Sequence, residues 1–371
     1  MRTGTTLILA AIGAIVLALG VIYGSGPRER MQQAAQGQLV FPGLAPKLAA
    51  AAQLEIQHKG TTLHLARNAE DAAALWGVVD RGGYRAQQDK VHELLTALTE
   101  LRLDEKRTAD AGEYARLGVA DPADKGADST LVRVLDGKGG VIAALIVGHA
   151  RSAERGGADT LYVRRPGEAQ SWLADGRIAA TAGTQDWLDR SIVSIDAAKV
   201  ADVVVTRGET TLRFARQGGK FTLTDPAGHP KLDDVKVDEV SRGLAELTLE
   251  DVKPAPAPGT PLGRAVFTTT DGMTLSADVS KSGPAVWATF AASGQDAADV
   301  AARVKGWAYE IGSWKEQALV PSLDDLKAAE PAMPAPAMPA PAMPAPAMPA
   351  PAMPAPAMPA PAPVLAPVPA K

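Results

Sequence analysis

The stretch GTTLHLAR, residues 60–67, returns later in the chain as GETTLRFAR, residues 208–216. In both copies apolar and polar residues alternate after a turn that contains glycine, which is typical of the second strand of a β-hairpin. The second copy carries one extra residue between its glycine and the Thr-Thr-Leu motif, so we align the copies on Thr-Thr-Leu. The repeat predicts that one structural module occurs twice.

An amphipathic helix pattern follows each copy. Residues 88–103 place apolar side chains at helical spacing, and so do residues 237–247. Both patterns end in the same Leu-x-x-Leu spacing, LTEL at 98–101 and LAEL at 244–247. Most such marks recur about 145 residues apart and the last ones lie closer, as loop insertions in one copy would produce.

The large aromatic residues also fall at repeated places. Trp76 aligns with Phe221, and Trp187 aligns with Trp314. Because both copies keep a large apolar residue at these positions, we expect these four side chains to belong to the core.

One aromatic pair lacks an equivalent in the first copy. Trp307 and Tyr309 lie in residues 307–319, which we predict to be helical. Because tryptophan and tyrosine are enriched at binding hot spots, these two residues are our candidates for contact with a partner.

The order of elements predicts an α+β fold with two tandem related modules, each an antiparallel sheet with an amphipathic helix. We place the first module at residues 53–199 and the second at residues 200–327. Residues 25–52 form a juxtamembrane connector. Its apolar segment LVFPGL, residues 39–44, either packs on the first module or sits at the membrane face.

The composition excludes several classes of function. The net charge is -4 and the isoelectric point is near 5.8, which disfavours a general nucleic-acid binder. The chain has no cysteine, so disulfides, thiolate catalysis and cysteine-bound zinc are excluded.

The N-terminus predicts a membrane anchor within residues 1–24. Residues 5–23 form an almost unbroken apolar run, with two threonines at its start and two glycines within it, and about 19 helical residues cover a bilayer core. A cleaved signal peptide with its cleavage site at 18–20 is the alternative. The short segment before the span favours export of the body, which predicts a single-pass protein of the bacterial inner membrane with its body in the periplasm.

The C-terminal residues 328–371 predict a disordered tail. Pro-Ala-Met-Pro-Ala occurs six times through residue 360, and proline at this density favours polyproline II. The tail is either a solvated spacer or a docking strand for a partner.

Motifs of known chemistry are scarce. Zinc sites usually need three convergent ligands, and none of the histidines has a His-x-x-x-His partner; they are His58, His64, His92, His149 and His229. The sequence GKGG at 137–140 lacks the Gly-Lys-Ser/Thr end of a phosphate loop, so we predict a hairpin turn there. Asp233 and Asp234 read as the start of a helix. We therefore assign no catalytic, cofactor-binding or metal-binding residue.

An ordered set of short segments resembles the domain-of-unknown-function family 4340, and the resemblance runs from about residue 39 to 325. The segments are LVFPGL at 39–44, WGVV at 76–79, GY at 83–84, YARLG at 114–118, DP at 121–122, IVG at 146–148, LYVR at 161–164 and QDWLD at 185–189. The resemblance implies a membrane-anchored envelope protein, often encoded beside an ABC transporter of the gliding-motility type and labelled an auxiliary component. The family has no established catalytic residues to carry over.

These observations predict a non-enzymatic accessory or scaffold subunit that binds a membrane transporter, with ABC transporter permease or auxiliary subunits as partners. A binding module for an envelope polymer or small ligand, using the groove between the modules, is the first alternative. An envelope hydrolase is the second, and it would need carboxylates and a histidine in one pocket.

Overall fold

The computed structural model describes residues 37–68, 74–152 and 159–328, which form two antiparallel sheets with few helices. This confirms the α+β class. No helix within these described ranges is long and apolar enough to cross a membrane. The predicted anchor at 1–24 and almost all of the predicted tail lie outside the described residues.

The first sheet has nine strands in the order β4-β3-β2-β1-β6-β7-β8-β9-β5. Its strands are β1 Ala51–His58, β2 Thr61–Arg67, β3 Trp76–Val78, β4 Tyr84–Arg85, β5 Arg102–Lys106, β6 Thr130–Asp136, β7 Val141–Arg151, β8 Thr160–Arg164 and β9 Ser171–Asp175.

The second sheet also has nine strands, in the order β10-β14-β18-β17-β16-β15-β11-β12-β13. Its strands are β10 Ser191–Val193, β11 Val200–Arg207, β12 Thr210–Gln217, β13 Lys220–Asp225, β14 Leu247–Pro254, β15 Thr260–Thr269, β16 Met273–Ser282, β17 Ala285–Gly294 and β18 Trp307–Ile311.

Eight strands follow one another in the same order in both sheets. The run β3-β2-β1-β6-β7-β8-β9-β5 corresponds to β13-β12-β11-β15-β16-β17-β18-β14. Irregularities of register recur as well, because the chain bulges after Ala51 and Val200, and again after Leu103 and Leu249. Such bulges follow local backbone detail, so their recurrence shows that the likeness extends below strand order.

The two hairpins that carry the repeated stretch have turns of equal length. His58 pairs with Thr61 in the first, and Arg207 pairs with Thr210 in the second, so each turn has two residues. The alignment on Thr-Thr-Leu is therefore confirmed, and Glu209 is the second residue of an equally long turn and not an insertion. Glycine is the second turn residue at Gly60 and the first at Gly208, and φ is positive at both. Tight hairpin turns require such backbone angles, which glycine adopts without strain.

In the described part of the chain, five α-helices accompany the sheets: α1 Gln88–Glu100, α2 Tyr114–Leu117, α3 Asp234–Ser241, α4 Ala298–Val304 and α5 Lys315–Leu319. Short 3-10 helices span Ala45–Ala50, Val79–Arg81, Ala111–Glu113, Thr184–Trp187 and Ala197–Lys199. The helix prediction for 88–103 is confirmed within three residues. The last leucines of both Leu-x-x-Leu motifs are buried, at Leu101 and Leu247.

The prediction of a helix over 307–319 is wrong in its first half. Trp307–Ile311 is β18, which lies between β17 and β14 inside the second sheet. Tyr309 and Ile311 point to the core while Glu310 does not, which is the period of two that a strand requires. The short run of aromatic and β-branched residues outweighs the helical tendency of its alanine and glutamate neighbours.

One contiguous cluster of buried side chains runs through both sheets. Trp187 is fully buried in it, as expected, and so are Trp76 and Phe221 within a few per cent. Trp314 is 67% exposed, so its predicted core role is wrong. The segment 39–44 packs on the first sheet, because Leu39 pairs with Arg102 of β5 and Val40 and Leu44 are buried.

Candidate functional site

The two sheets meet where β4 approaches the chain segment that enters β10. Ala86, next to β4, forms an isolated bridge with Leu188, and the backbone N–H of Asp189 donates to the carbonyl of Arg85 at 3.1 Å. The first sheet is thus joined by main-chain hydrogen bonds to residues that continue into the second. We call this contact region the junction.

Two arginines converge on one carboxylate in the junction. Arg85 Nε donates to Asp189 Oδ2 at 2.7 Å, and Arg303 Nη2 donates to the same oxygen at 2.8 Å. Arg85 also donates to the carbonyls of Ser191 at 2.7 Å and of Arg303 at 3.0 Å. Arg85 comes from the first sheet, whereas Arg303 comes from α4 beside the second sheet, so Asp189 links the two.

The electrostatics keep Asp189 ionised. Burial favours the neutral acid, but hydrogen bonds and charge from Arg85, with a further hydrogen bond from Arg303, outweigh burial and hold the pKa of Asp189 below its ordinary value. Charge-assisted hydrogen bonds of this kind are among the stronger ones in proteins.

The aromatic side chains of the junction include both predicted contact residues. The Tyr84 ring meets Trp307 edge-on with centroids 5.0 Å apart, and meets Tyr309 edge-on at 6.0 Å. Tyr309 is fully buried, so its predicted role as an exposed contact is not met. Trp307 is partly buried. Both residues contact the other sheet of the same chain.

The junction tyrosines stay neutral. Burial, and then the neighbouring Tyr309, raise the pKa of Tyr84 far above its usual range, and burial raises the pKa of Tyr309. The Tyr84 hydroxyl therefore remains a donor, and it donates to the carbonyl of Asp189 at 3.1 Å.

A second contact lies at the other end of β4. Arg81 Nε donates to Asp251 Oδ1 at 2.6 Å, which ties the 3-10 helix before β4 to β14. Gly82 has a φ of +67°, and a Cβ added there would meet Pro254 Cγ at 2.9 Å. Glycine at this position therefore permits both the turn and the close approach of the sheets.

Beside the junction lies a cavity of about 890 Å³, within the size range of small-molecule sites. It is lined by β10, by the turns after α3, by the start of β16 and by α4. Its charged lining residues are Asp196, Lys199, Arg242, Glu246, Asp271, Asp296, Asp299 and Arg303. Asp299 and Arg303 also line a smaller cleft of about 520 Å³ beside Trp76 and Trp307.

One lining carboxylate is held by its own turn. Asp271 accepts a hydrogen bond from the Thr269 hydroxyl, and this bond, together with backbone donors and Lys199, holds the pKa of Asp271 below its ordinary value. Asp271 is therefore an anion at neutral pH.

The histidines lie away from the cavity. His58 and His149 approach Asp128 at 4.0 and 3.8 Å, and His64 approaches Asp80 at 3.2 Å. Within the described ranges, no group of three or more histidine, aspartate or glutamate side chains could hold a metal ion.

Two interpretations of short motifs are confirmed. Residues 137–140 form the turn between β6 and β7, where Asp136 Oδ1 accepts from the backbone of Lys138 and Gly140, each at 2.8 Å. Asp233 caps α3 by accepting from the N–H of Val235 at 2.9 Å.

The sequence analysis did not identify the charged residues of the junction, which are Arg85, Asp189 and Arg303. They are more than 100 residues apart in each neighbouring pair. Their convergence depends on how the two sheets pack, and no local sequence pattern predicts it.

A family model described as "Domain of unknown function (DUF4340)" matches residues 76–263, slightly more than half of the chain. The matched range begins at β3 and ends in β15, so it includes parts of both sheets. No curated protein and no solved structure matches the chain.

Proposed function

This chain belongs to the DUF4340 family, and from that premise we propose that it is a non-enzymatic, membrane-anchored envelope protein, an accessory or scaffold subunit of an ABC-type transport system. The link to a transporter comes from the family resemblance. The partner-binding role draws on an exposed side chain, Trp314, that directly precedes α5.

The two sheets are copies of one module. The shared order of eight strands and the recurring bulges support this part of the proposal. So do two ion–aromatic pairs at equivalent places: Arg67 lies over Trp76 at 5.3 Å, and Arg216 lies over Phe221 at 5.7 Å. Duplication of a scaffold frees one copy to vary, and binding sites then arise where the copies differ.

The exposed ring of Trp314 is the observation that carries the partner-binding role. Its indole packs on Gly312, where an added Cβ would meet Nε1 at 2.5 Å, and the Lys315 ammonium lies 4.6 Å from the ring centroid. Lys315 is itself fixed, because its Nζ donates to the carbonyls of Gly243 and Ala245. A large aromatic ring that is exposed yet held in place loses little entropy on binding, as hot-spot residues require.

Affinity purification of the full-length chain from mildly solubilised membranes tests this role. We expect the wild-type chain to recover subunits of a transporter, and we expect Trp314→Ala to lower that recovery severalfold. Val141→Ala, which truncates another exposed apolar side chain on the first sheet, is the matched control and should change nothing. Recovery without any transporter subunit, under conditions that hold such complexes together, would count against the proposal.

The location follows from the N-terminal apolar run. We place residues 5–23 across the bacterial inner membrane and the body in the periplasm, with the Pro-Ala-Met tail as a solvated spacer. Protease added to spheroplasts should then remove the tail first and leave a shorter body. Full protection of the chain would contradict the assigned side of the membrane.

A small-ligand or polymer-binding module is the second candidate function, and the 890 Å³ cavity favours it. The lining contains five carboxylates and no histidine, whereas the hydrolase alternative expects both together, so we propose binding rather than hydrolysis. A bound ligand should raise the melting temperature of the chain, and a broad panel that leaves the temperature unchanged would weigh against this candidate.

A further inference from the structure

The cavity lies where the second copy departs from the first. Leu39 and Ser191 hold equivalent edge places, since Leu39 pairs with β5 and Ser191 pairs with β14. The connection from that edge to the first long strand includes the six-residue helix Ala45–Ala50 in the first copy. In the second copy it includes only Ala197–Lys199. The shorter connection leaves less chain to fill this end of the sheet.

The crossing helix is shorter as well. Helix α1 has 13 residues, whereas α3 has 8 and is followed by turns up to Glu246. Glu246 has a φ of +46°, a backbone angle that residues other than glycine rarely adopt. At the positions where α1 continues as a helix in the first copy, the chain after α3 forms turns in the second copy. These turns form one side of the cavity, which we call its rim.

An insertion supplies the opposite rim. Helix α4 lies between β17 and β18, whereas β8 and β9 are joined without a helix. Asp296, Asp299 and Arg303 of this insertion line the cavity. Two shorter segments and one additional helix of the second copy therefore meet around a single space of about 890 Å³.

The charges around this space are unbalanced. Five carboxylates and three cationic side chains line it. Arg242, which follows α3, is already paired with Asp238 of that helix at 2.8 Å, and Arg303 is paired with Asp189. Within the described part of the chain, Asp296, Asp299 and Lys199 form no side-chain hydrogen bond or ion pair. Lys199 acts on Asp271, whose pKa it helps to lower, so no cation among the described lining residues is paired with Asp296 or Asp299.

The floor of the cavity is apolar. Ile192 and Ile195 are buried beneath it, Met273 is nearly so, and Val300 of α4 is partly exposed along its side. A ligand that fits this space pairs hydrocarbon with the floor and positive charge with the rim.

We propose that this cavity, formed only in the second copy, binds a small organic cation whose ammonium groups face Asp296 and Asp299. The inference deepens the second candidate function and rests on it. It is independent of the partner contact at Trp314, so the scaffold role stands or falls separately.

Spermidine, a flexible triammonium chain, is the probe for this site, with citrate as a trianionic counterpart. Calorimetric titration of the full-length chain in mild detergent with EDTA present should show saturable binding of one spermidine and none of citrate. Raising the salt from about 50 to about 500 mM should weaken spermidine binding severalfold, because the rim carboxylates are exposed and screened.

The double variant Asp296→Asn/Asp299→Asn should weaken spermidine binding by roughly tenfold. The matched control Asp124→Asn/Glu209→Gln removes two exposed carboxylates elsewhere and should leave the affinity unchanged within about twofold. An unchanged melting temperature in both variants verifies that each is folded.

Absence of saturable spermidine binding, or equal weakening in both double variants, would overturn the inference. Binding of a neutral or anionic compound that competes at this cavity would also overturn the cationic class, while the second candidate function itself would stand.

Discussion

Asp189 is the residue on which the junction depends most. It receives Arg85 from the first sheet and Arg303 from α4, and its side chain is only 25% exposed. Removing one member of a buried charge network leaves its partners without compensation, which costs more than the net contribution of the network itself.

Asp189→Asn should therefore lower the free energy of unfolding by about 1–3 kcal/mol, less than a fully buried pair would lose because the network is partly solvated. Urea unfolding of the full-length chain measures this value. The control Asp324→Asn, whose carboxylate is 82% exposed beside Lys327, should cost under about 0.5 kcal/mol. Equal losses in the two variants would show that the junction carries no special charge network.

The same substitution has a pH signature. The pKa of Asp189 is lowered by folding, so its contribution is fully present above the unfolded value near 3.9 and is lost as pH falls through the folded value. The stability gap between wild type and Asp189→Asn should stay constant from about pH 7 to pH 5 and shrink below about pH 4. A gap that widens on acidification would contradict this assignment.

Residue roles were only partly predictable. Trp76 and Phe221 were placed correctly because strand pairing conserves their position beside Arg67 and Arg216. Tyr309 was predicted to be a contact residue but is buried, and Trp314 was predicted to lie in the core but is exposed. The burial of Tyr309 depends on whether residues 307–311 form a strand, and short segments of mixed propensity do not decide that locally.

At the scale of elements, duplication explains both the likeness and the differences of the sheets. In the first sheet, Leu131 and Ile146 pair across strands and pack against α2 and the following chain. The equivalent pair in the second sheet is Arg264 and Asp278, 3.6 Å apart and more than half exposed. In the described part of the second copy, no helix packs against this pair. Its side chains are accordingly charged and exposed to solvent.

The repeated Leu-x-x-Leu motif should contribute alike in both copies, although Leu98 lies in α1 and Leu244 lies in the turns after α3. Leu98 and Leu244 are both buried within 1% at the repeated motif. Leu98→Ala and Leu244→Ala should each cost about 2–5 kcal/mol, because each removes a fully buried side chain and leaves a void. Urea unfolding measures both, and Val235→Ala, at a position 70% exposed, should cost under about 0.5 kcal/mol. A small loss at one leucine alone would show that the copies do not bury this motif equivalently.

The sequence predicted elements well where a long periodic pattern existed. The hairpins, α1 and the turn at 137–140 follow from alternation, helical spacing and glycine. The junction and the cavity did not follow, since they depend on contacts between residues over 100 positions apart and on the relative lengths of connections. The repeat itself pointed to where the copies meet and differ, but not to the side chains found there.

At the scale of the whole molecule, we infer that two copies of one module form a single body. One cluster of buried side chains passes through both sheets, and the junction adds ion pairs, backbone hydrogen bonds and packed rings. These contacts hold the two sheets together and lie beside the cavity.

Scanning calorimetry of the full-length chain tests this central claim most directly. If the sheets form one cooperative unit, the described body should unfold in a single transition whose calorimetric and van't Hoff enthalpies agree. Two separate transitions in the wild-type chain, one for each sheet, would contradict it.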